Sequence, residues 1–242
     1  MRKRVLVTGA AGFIGAATAE ALLGRGDEVI GADNLNDYYD VRLKHARLER
    51  IKHPAFRFHR IDVADRAAVE ALFGRERPTH VCHLAAQAGV RFSLVAPHVY
   101  QRSNVEGTLN LLEAARRNPP ENFVYASSSS VYGGNTKTPF AEDDRTDDPI
   151  SLYAATKKAT ELMAHAYSRL FGIKTTGLRF FTVYGPWGRP DMACYKFALL
   201  IMRGSPIELY NNGDMLRDFT YIDAIVRGVL AAIDNPFDCE IL

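Results

Sequence analysis

Along this chain, short apolar runs rich in β-branched residues alternate with longer stretches whose apolar residues recur at helical spacing. Arg4–Thr8 reads as a strand, and the segment from Gly12 to Arg25 carries Phe13, Ile14, Ala17, Ala21 and Leu22 at the spacing of a helix face. The pattern then predicts a strand over Glu28–Ala32, a helix over Val41–Arg50, a strand over Phe56–Ile61 and a helix over Arg66–Phe73. His80–Ala85 is the next strand, followed by a long helix near 98–118, a strand over Phe123–Ser127, a helix over Leu152–Phe171 and a strand over Lys174–Phe181. The Pro/Asp/Thr-rich span 135–149 reads as a surface loop, with Asp148-Pro149 as the start signal of the helix behind it. Strands separated by helices of this length form parallel β-α-β units, so the predicted fold is α/β with a doubly wound parallel sheet.

Past Asp191 the alternation fades. A short helix at about 192–203, a strand-like Ile207–Tyr210 and a helix from Ile222 remain, the last patterned by Ile222, Ile225, Val226, Val229, Leu230 and Ile233.

Composition narrows the function classes. The 242 residues are 47% hydrophobic and 24% charged, ordinary for a soluble globular protein. Thirty basic against 28 acidic residues are interspersed along the chain, which disfavours nucleic acid or an anionic membrane as partner. No apolar run reaches membrane-spanning length, and the run after the basic N-terminus is broken at Thr8 and Gly9, too soon for a signal peptide. Cys82, Cys194 and Cys239 are odd in number and suit a reducing cytoplasm; neither they nor the seven histidines show metal-ligand spacing, so no metal is expected.

Chemistry enters at the first strand-helix turn. VLVTGAAGFIG (5–15) places Gly9, Gly12 and Gly15 where backbone amides approach a pyrophosphate at a helix N-terminus. A glycine triplet alone is equally the mark of a tight turn. Its place after the first strand, and Asp33 at the end of the second, favour a Rossmann-type dinucleotide site. A carboxylate there accepts from an adenosine ribose 2′-hydroxyl and repels a 2′-phosphate, which predicts NAD rather than NADP. Phe13 and Ile14 sit on the same loop, and Asn34 and Asn36 follow Asp33. The G-x-x-G-x-x-G spacing points to the short-chain dehydrogenase/reductase group.

SLYAATKKA (151–159) then sets Tyr153 and Lys157 four residues apart, on one helix face. A phenol is a poor base near neutrality, and a nearby ammonium favours its phenolate. An isolated Y-x-x-x-K is more often an ordinary amphipathic helix; beside the glycine loop and Asp33 it reads as a catalytic pair. The serine run in YASSSSVYG (125–133), at the end of the fifth strand, can supply a third hydroxyl to hydrogen-bond the substrate alcohol.

TGAAGFIG, DNLNDYYD (33–40), HLAAQAGVR (83–91), YASSSSVYG, SLYAATKKATELMAHAYS (151–168), LRFFTVYGPWGRPDM (178–192) and RDFTYID (217–223) together resemble the extended short-chain dehydrogenase/reductase family, and within it the UDP-glucuronate 4-epimerases. The resemblance implies that Asp62, Val63, Leu84, Ala85, Ala86, Asn104 and Ser127 flank the NAD. It implies that Ser128 is the catalytic hydroxyl, and that Gln87, Arg91, Ser129, Ser130, Thr182, Arg189 and Arg217 line the UDP-sugar site. It implies 4-epimerisation through transient oxidation at carbon 4, and a homodimer formed by the helices near 98–118 and 152–171. Residues 1–181 are thus expected to form the NAD-binding domain. Residues 182–242 form an interleaved substrate-binding region, which stops short of where family members continue.

The serines also bear on the reaction. Related dehydratases carry acidic residues after the catalytic hydroxyl, and decarboxylases a Glu just before V-Y-G; this chain has Ser129 and Ser130 there. Epimerisation of UDP-glucuronate to UDP-galacturonate is therefore the expectation. A UDP-hexose or UDP-N-acetylhexosamine 4-epimerase is the alternative, then a UDP-glucuronate decarboxylase, and outside enzymes a nucleotide-sensing module. Arg189 suits a carboxylate, though an arginine capping a surface loop looks the same. Arg217 matches a family diphosphate ligand, with an ion pair to Asp214 or Asp218 as the plainer reading.

Overall fold

Alternate residues of the buried strands face two different cores. In β1 (Arg4–Thr8), Val5 and Val7 point to one side of the sheet and Leu6 to the other. Val29 and Ile30 of β2 (Glu28–Asp33) divide in the same way, as do Cys82 and Val81 of β4 (His80–His83). A strand covered on both faces must be apolar throughout, which is why these segments read as continuous runs rather than alternating ones.

The structure is a computed structural model that describes residues 2–242, the side chain of Tyr210 excepted. Its main sheet has seven parallel strands in the order β3-β2-β1-β4-β5-β6-β9, with β3 at Phe56–Arg60, β5 at Asn122–Ala126, β6 at Thr175–Leu178 and β9 at Cys239–Ile241. The doubly wound sheet is thus as expected. On one face lie α1 (Phe13–Gly24) and α9 (Ile222–Asp234); on the other lie α3 (Arg66–Glu76), α6 (Gly107–Arg117) and α7 (Leu152–Phe171). The helix α2 (Val41–Arg50) borders α1. The strand order reverses direction between β1 and β4, and a cleft opens beyond the carboxyl ends of strands at such a point.

Several expected boundaries move. β4 stops at His83 because the next amides turn to Thr8: Leu84 N donates to its carbonyl and Ala85 N to its hydroxyl. β6 covers only Thr175–Leu178, since Phe180 N folds back onto Leu178 O. The long helix is a composite: two single turns, α4 (Phe92–Val95) and α5 (Pro97–Tyr100), a π-turn over Gln101–Glu106, then α6. Ser151, not Asp148-Pro149, caps α7, its hydroxyl accepting from Ala154 N at 3.1 Å.

Beyond β6, a second sheet pairs β7 (Thr182–Tyr184) with β8 (Phe219–Tyr221). The expected strand Ile207–Tyr210 is not formed: among the described residues no strand pairs with it, and Leu209 is 62% exposed. The helix α8 (Ala193–Met202) carries no buried residue. Of residues 182–242, α9 and β9 therefore return to the main sheet while β7, α8 and β8 stand to one side. Among the described residues no helix is long and apolar enough to cross a membrane.

Candidate active site

The turn from β1 into α1 depends on glycine. Gly9 adopts φ +70°, a left-handed conformation that glycine takes without steric cost. A Cβ at Gly9 would lie 2.8 Å from Ala85 N, and one at Gly15 would lie 2.1 Å from the Gly9 carbonyl oxygen. The loop is held from behind, with Gly9 N donating to Ala32 O at 2.8 Å. Ala11 N (3.2 Å) and Leu35 N (2.8 Å) both donate to the Asp33 carboxylate. Asp33 thus clamps the glycine loop as well as standing at the end of β2. Gly12 occupies the N-cap of α1 with no side-chain cap, and the Phe13 ring, with Ile14 beside it, packs against Val183 and Ile222.

Beside this loop a cleft is lined by Asn34, Asn36, Asp62, Gln87, Phe92 and Arg102. Four residues expected at the ligands, Asn34, Asn36, Asp62 and Gln87, therefore share one wall. Asp62 accepts from Ala64 N at 3.0 Å and from Arg102 at 3.1 Å, and Val63 behind it is buried. Asn36 accepts from the buried Lys44 ammonium at 2.8 Å. The backbone of Leu84 and Ala85 lies against Gly9, with Ala86 following.

Two expected cofactor ligands use their side chains elsewhere. Asn104, within the π-turn, accepts from Gln87 N (2.8 Å) and donates to Gln87 O (3.0 Å) and to the Thr156 hydroxyl (3.0 Å), tying the loop after β4 to α7. The Ser127 hydroxyl donates to the Glu161 carboxylate at 2.6 Å.

At the end of β5 the catalytic candidates converge on α7. The Lys157 ammonium donates to Ala126 O at 2.7 Å. Ser128 accepts from Ser130 N (3.2 Å) and the Ser130 hydroxyl (3.0 Å), and it stands close enough to the Tyr153 phenol to act on it. Burial pushes the Tyr153 phenol up from its ordinary range, while Ser128 and the Arg189 guanidinium draw it back down. The expected agent was Lys157; in this structure its ammonium is turned to Ala126 instead. Burial brings Lys157 itself down to about 8, opposed by the Glu161 carboxylate.

Beyond β7, Arg189 pairs with Asp191, Nε to Oδ1 at 3.0 Å, and the Tyr38 hydroxyl donates to Asp191 at 3.1 Å. Arg189 is near enough to Tyr153 for each to act on the other electrostatically. Ser129 and Ser130 open a 3₁₀ turn after Ser128 with no acid beside them in the chain, and Thr182 begins β7. Gln87 is buried, whereas Arg91 is exposed just before α4. Arg217 lies exposed in the segment before β8, bonded to Leu216 O at 2.8 Å, and among the described residues it makes no ion pair with Asp214 or Asp218.

Three groups escaped the sequence reading. Arg47, 1% exposed, donates to Ala11 O (3.1 Å), to the Tyr39 hydroxyl (2.6 Å) and to Trp187 O (2.7 Å). It thereby ties the glycine loop to Trp187 in GPWGRPDM and to Tyr39 in DNLNDYYD. His83 is held neutral: Thr108 donates to Asn104 O (2.6 Å) and so accepts from His83 Nε2 (3.1 Å), leaving Nδ1 to accept from Thr8 (2.7 Å). Burial and Lys157 bring its imidazole down to about 3. Glu161 bonds Ser127 and the Arg179 guanidinium, at 3.0 and 3.2 Å. Arg47 and His83 carry no signal at short range. Glu161 does, since it repeats the four-residue step from Tyr153 to Lys157.

Comparison with known proteins agrees with this arrangement. Over 235 residues the chain is 54% identical to UDP-glucuronate 4-epimerase 3 of Arabidopsis thaliana, covering 96% of this chain and 55% of the plant protein. Its fold matches the crystal structure of UDP-glucuronic acid 4-epimerase from Bacillus cereus in complex with UDP-glucuronic acid and NAD. That match has a TM-score of 0.92 at 35% identity, over 99% of this chain and 76% of that one. It also matches UDP-N-acetylglucosamine 4-epimerase from Methanobrevibacter ruminantium M1, with a TM-score of 0.89 at 29% identity, over 100% and 76% of the two chains. Residues 5–240 match the family described as NAD dependent epimerase/dehydratase, and the chain belongs to that family.

Proposed function

We propose that this NAD-dependent isomerase interconverts UDP-glucuronate and UDP-galacturonate by epimerisation at carbon 4. The observation that carries the choice of sugar is Arg189. Its fork already holds a carboxylate, that of Asp191, and its charge acts on Tyr153. A guanidinium so placed suits a sugar carboxylate presented next to the reacting carbon. The UDP-glucuronate epimerases named above support the same choice.

The glycine cradle fits a dinucleotide: a Cβ at Gly9 or Gly15 would fill the space where the backbone closes, and Asp33 stands at the ribose position. Gly9, Gly12, Gly15, Asp33, Asn34, Asn36, Asp62 and Lys157 would hold the NAD. Bound there, NAD would supply the acceptor for the carbon 4 hydride and the donor for its return to the opposite face.

The chain's own residues handle the proton. Tyr153 takes the proton of the 4-hydroxyl and later gives it back, with Ser128 hydrogen-bonded to the same oxygen. Ser128 and Arg189 draw the buried phenol toward ionisation. The 4-keto sugar is a β-keto acid, which loses CO₂ when its carboxylate stands perpendicular to the ketone plane. Arg189 holds the carboxylate out of that orientation, and Ser129 and Ser130 offer no acid or base to assist its loss.

Residues 182–242 serve as the sugar-binding region, working in the cytoplasm where Cys82, Cys194 and Cys239 stay free thiols. The active form is a homodimer through α6 and α7, which pack side by side and expose Leu109 and Leu162. A monomer mass by light scattering would remove that part of the reading. The second reading, a UDP-N-acetylhexosamine 4-epimerase, is favoured by the internal neutralisation of Arg189 by Asp191 and by the archaeal neighbour.

The deciding experiment incubates the NAD-loaded protein with UDP-glucuronate and separates the products. UDP-galacturonate is expected. UDP-xylose would indicate decarboxylation, and turnover of UDP-N-acetylglucosamine alone would transfer the assignment to the second reading.

A further inference from the structure

The end of β5 and one face of α7 are laced together in sequence. Ala126 bonds Lys157, Ser127 bonds Glu161, and Ser128 stands close enough to Tyr153 to draw its phenol down. The three helix residues are spaced four apart, so they stand on successive turns of a single face. Two of them belong to the catalytic pair; the third is a carboxylate with its side chain 4% exposed. A buried carboxylate is retained only when charge and hydrogen bonds compensate it. Glu161 has both, from the Ser127 hydroxyl, from the Arg179 guanidinium at 3.0 and 3.2 Å, and from Lys158 at 3.5 Å.

We propose that Glu161 is a positioning residue, which supplies the counter-charge for the buried Lys157 ammonium and locks the strand end that presents Ser128. The groups around Lys157 leave that task to no other residue. On α7, Tyr153 is a phenol pushed up by burial and Lys158 is a cation; from β4, His83 is neutral. From β5, Tyr125 is a phenol pushed up by burial; beyond β6, Arg179 is a cation; from the sugar side, Arg189 is another. Glu161 is the one carboxylate acting on Lys157 among the described residues. Its removal would leave cations facing one another in a site shielded from water, and the lysine would release its proton at lower pH. This inference rests on Tyr153 and Lys157 being the catalytic pair, not on which sugar they process.

The test is made on NAD-loaded protein with ¹³Cε-labelled lysine, following the Lys157 resonance, identified by its loss in Lys157→Arg, through a pH titration. In Glu161→Gln the midpoint is expected at a pH about one lower than in the wild type. The alkaline limb of kcat, on whichever UDP-sugar the wild type turns over, is expected to move down with it. Glu161→Asp, which keeps the charge, should restore the position of the limb. An unchanged midpoint in a folded Glu161→Gln would overturn the proposal and leave Glu161 a structural partner of Arg179. Where Glu161→Gln does not fold, Arg179→Met decides instead. It leaves the carboxylate less neutralised, so the Lys157 midpoint should rise, and no rise overturns the proposal. The resonance needs no substrate, so failure of UDP-glucuronate turnover in the previous experiment leaves this result interpretable.

Discussion

Around the end of β5, Ala126 and Ser127 are each bonded to α7, and Ser127, Lys157 and Glu161 are buried. Between β7 and β8 the opposite holds. The helix α8 has no buried residue, Met202 and Leu216 are 84% and 89% exposed, and the side chains of Arg189 and Arg217 bond only residues within two positions of themselves among the hydrogen bonds described. The end of β5 is therefore held to α7 by long-range contacts, whereas α8 and the segment around Arg217 lie exposed, with Arg217 bonded only to its neighbours in the chain among the hydrogen bonds described. Where packing holds a group, its geometry exists before substrate arrives. Where local pairs hold it, substrate can replace the partner, as a sugar carboxylate would replace Asp191 on Arg189.

The largest effect should come from the packed side. Tyr153→Phe is expected to lower kcat by about 10³-fold or more while NAD stays bound, as seen by absorbance of the purified protein. Retained turnover would remove Tyr153 from its role. Leu111→Ala, at a fully buried core position, should cost about 2–5 kcal/mol in urea denaturation. On the other side, Arg189→Met should raise KM for UDP-glucuronate by about 10- to 100-fold, the worth of a charge-assisted hydrogen bond. An uncharged UDP-sugar should change far less, and equal losses on both would break the assignment of Arg189.

The pH dependence of stability sharpens the same contrast, because its sources lie in the packed frame. His83 sits at about 3 in the fold against 6.5 in an unfolded chain. The unfolded state therefore binds the extra proton between those values, and stability should fall as pH drops through that window. Lys157 sits at about 8 against 10.5, so the unfolded state again binds more protons between them, and stability should rise with pH there. Denaturation midpoints at pH 5, 7 and 9 check both signs in the cofactor-free protein. The smallest effect is expected for Leu216→Ala, within about 0.5 kcal/mol of wild type.

Much of this could be read from the chain because the signals are local. The strands of the main sheet are buried on both faces and so stand out as apolar runs, and the step from Tyr153 to Lys157 is one helix turn. The glycine loop was legible for the same reason, its special backbone lying within a few residues. The three-residue strands β7, β8 and β9 were missed, being too short to show a period. The π-turn at Gln101–Glu106 was missed because its residues resemble any helix.

By itself, then, the sequence determined the order of the main-sheet elements up to β6, the parallel sheet, the glycine turn and the four-residue step from Tyr153 to Lys157. All of these follow from backbone sterics and apolar spacing over less than about ten residues. Only the tertiary structure decided that Asn104 and Ser127 turn their side chains into the protein, and that Arg217 bonds Leu216 O rather than Asp214 or Asp218. It alone brought Arg47 to Trp187 across 140 residues, and Glu161 to Ser127 across 34. The reason is the cost of burying a polar group without a partner. Which partner a buried Arg, Glu or Asn finds depends on what the folded chain places beside it, and that is not written in its neighbours along the sequence.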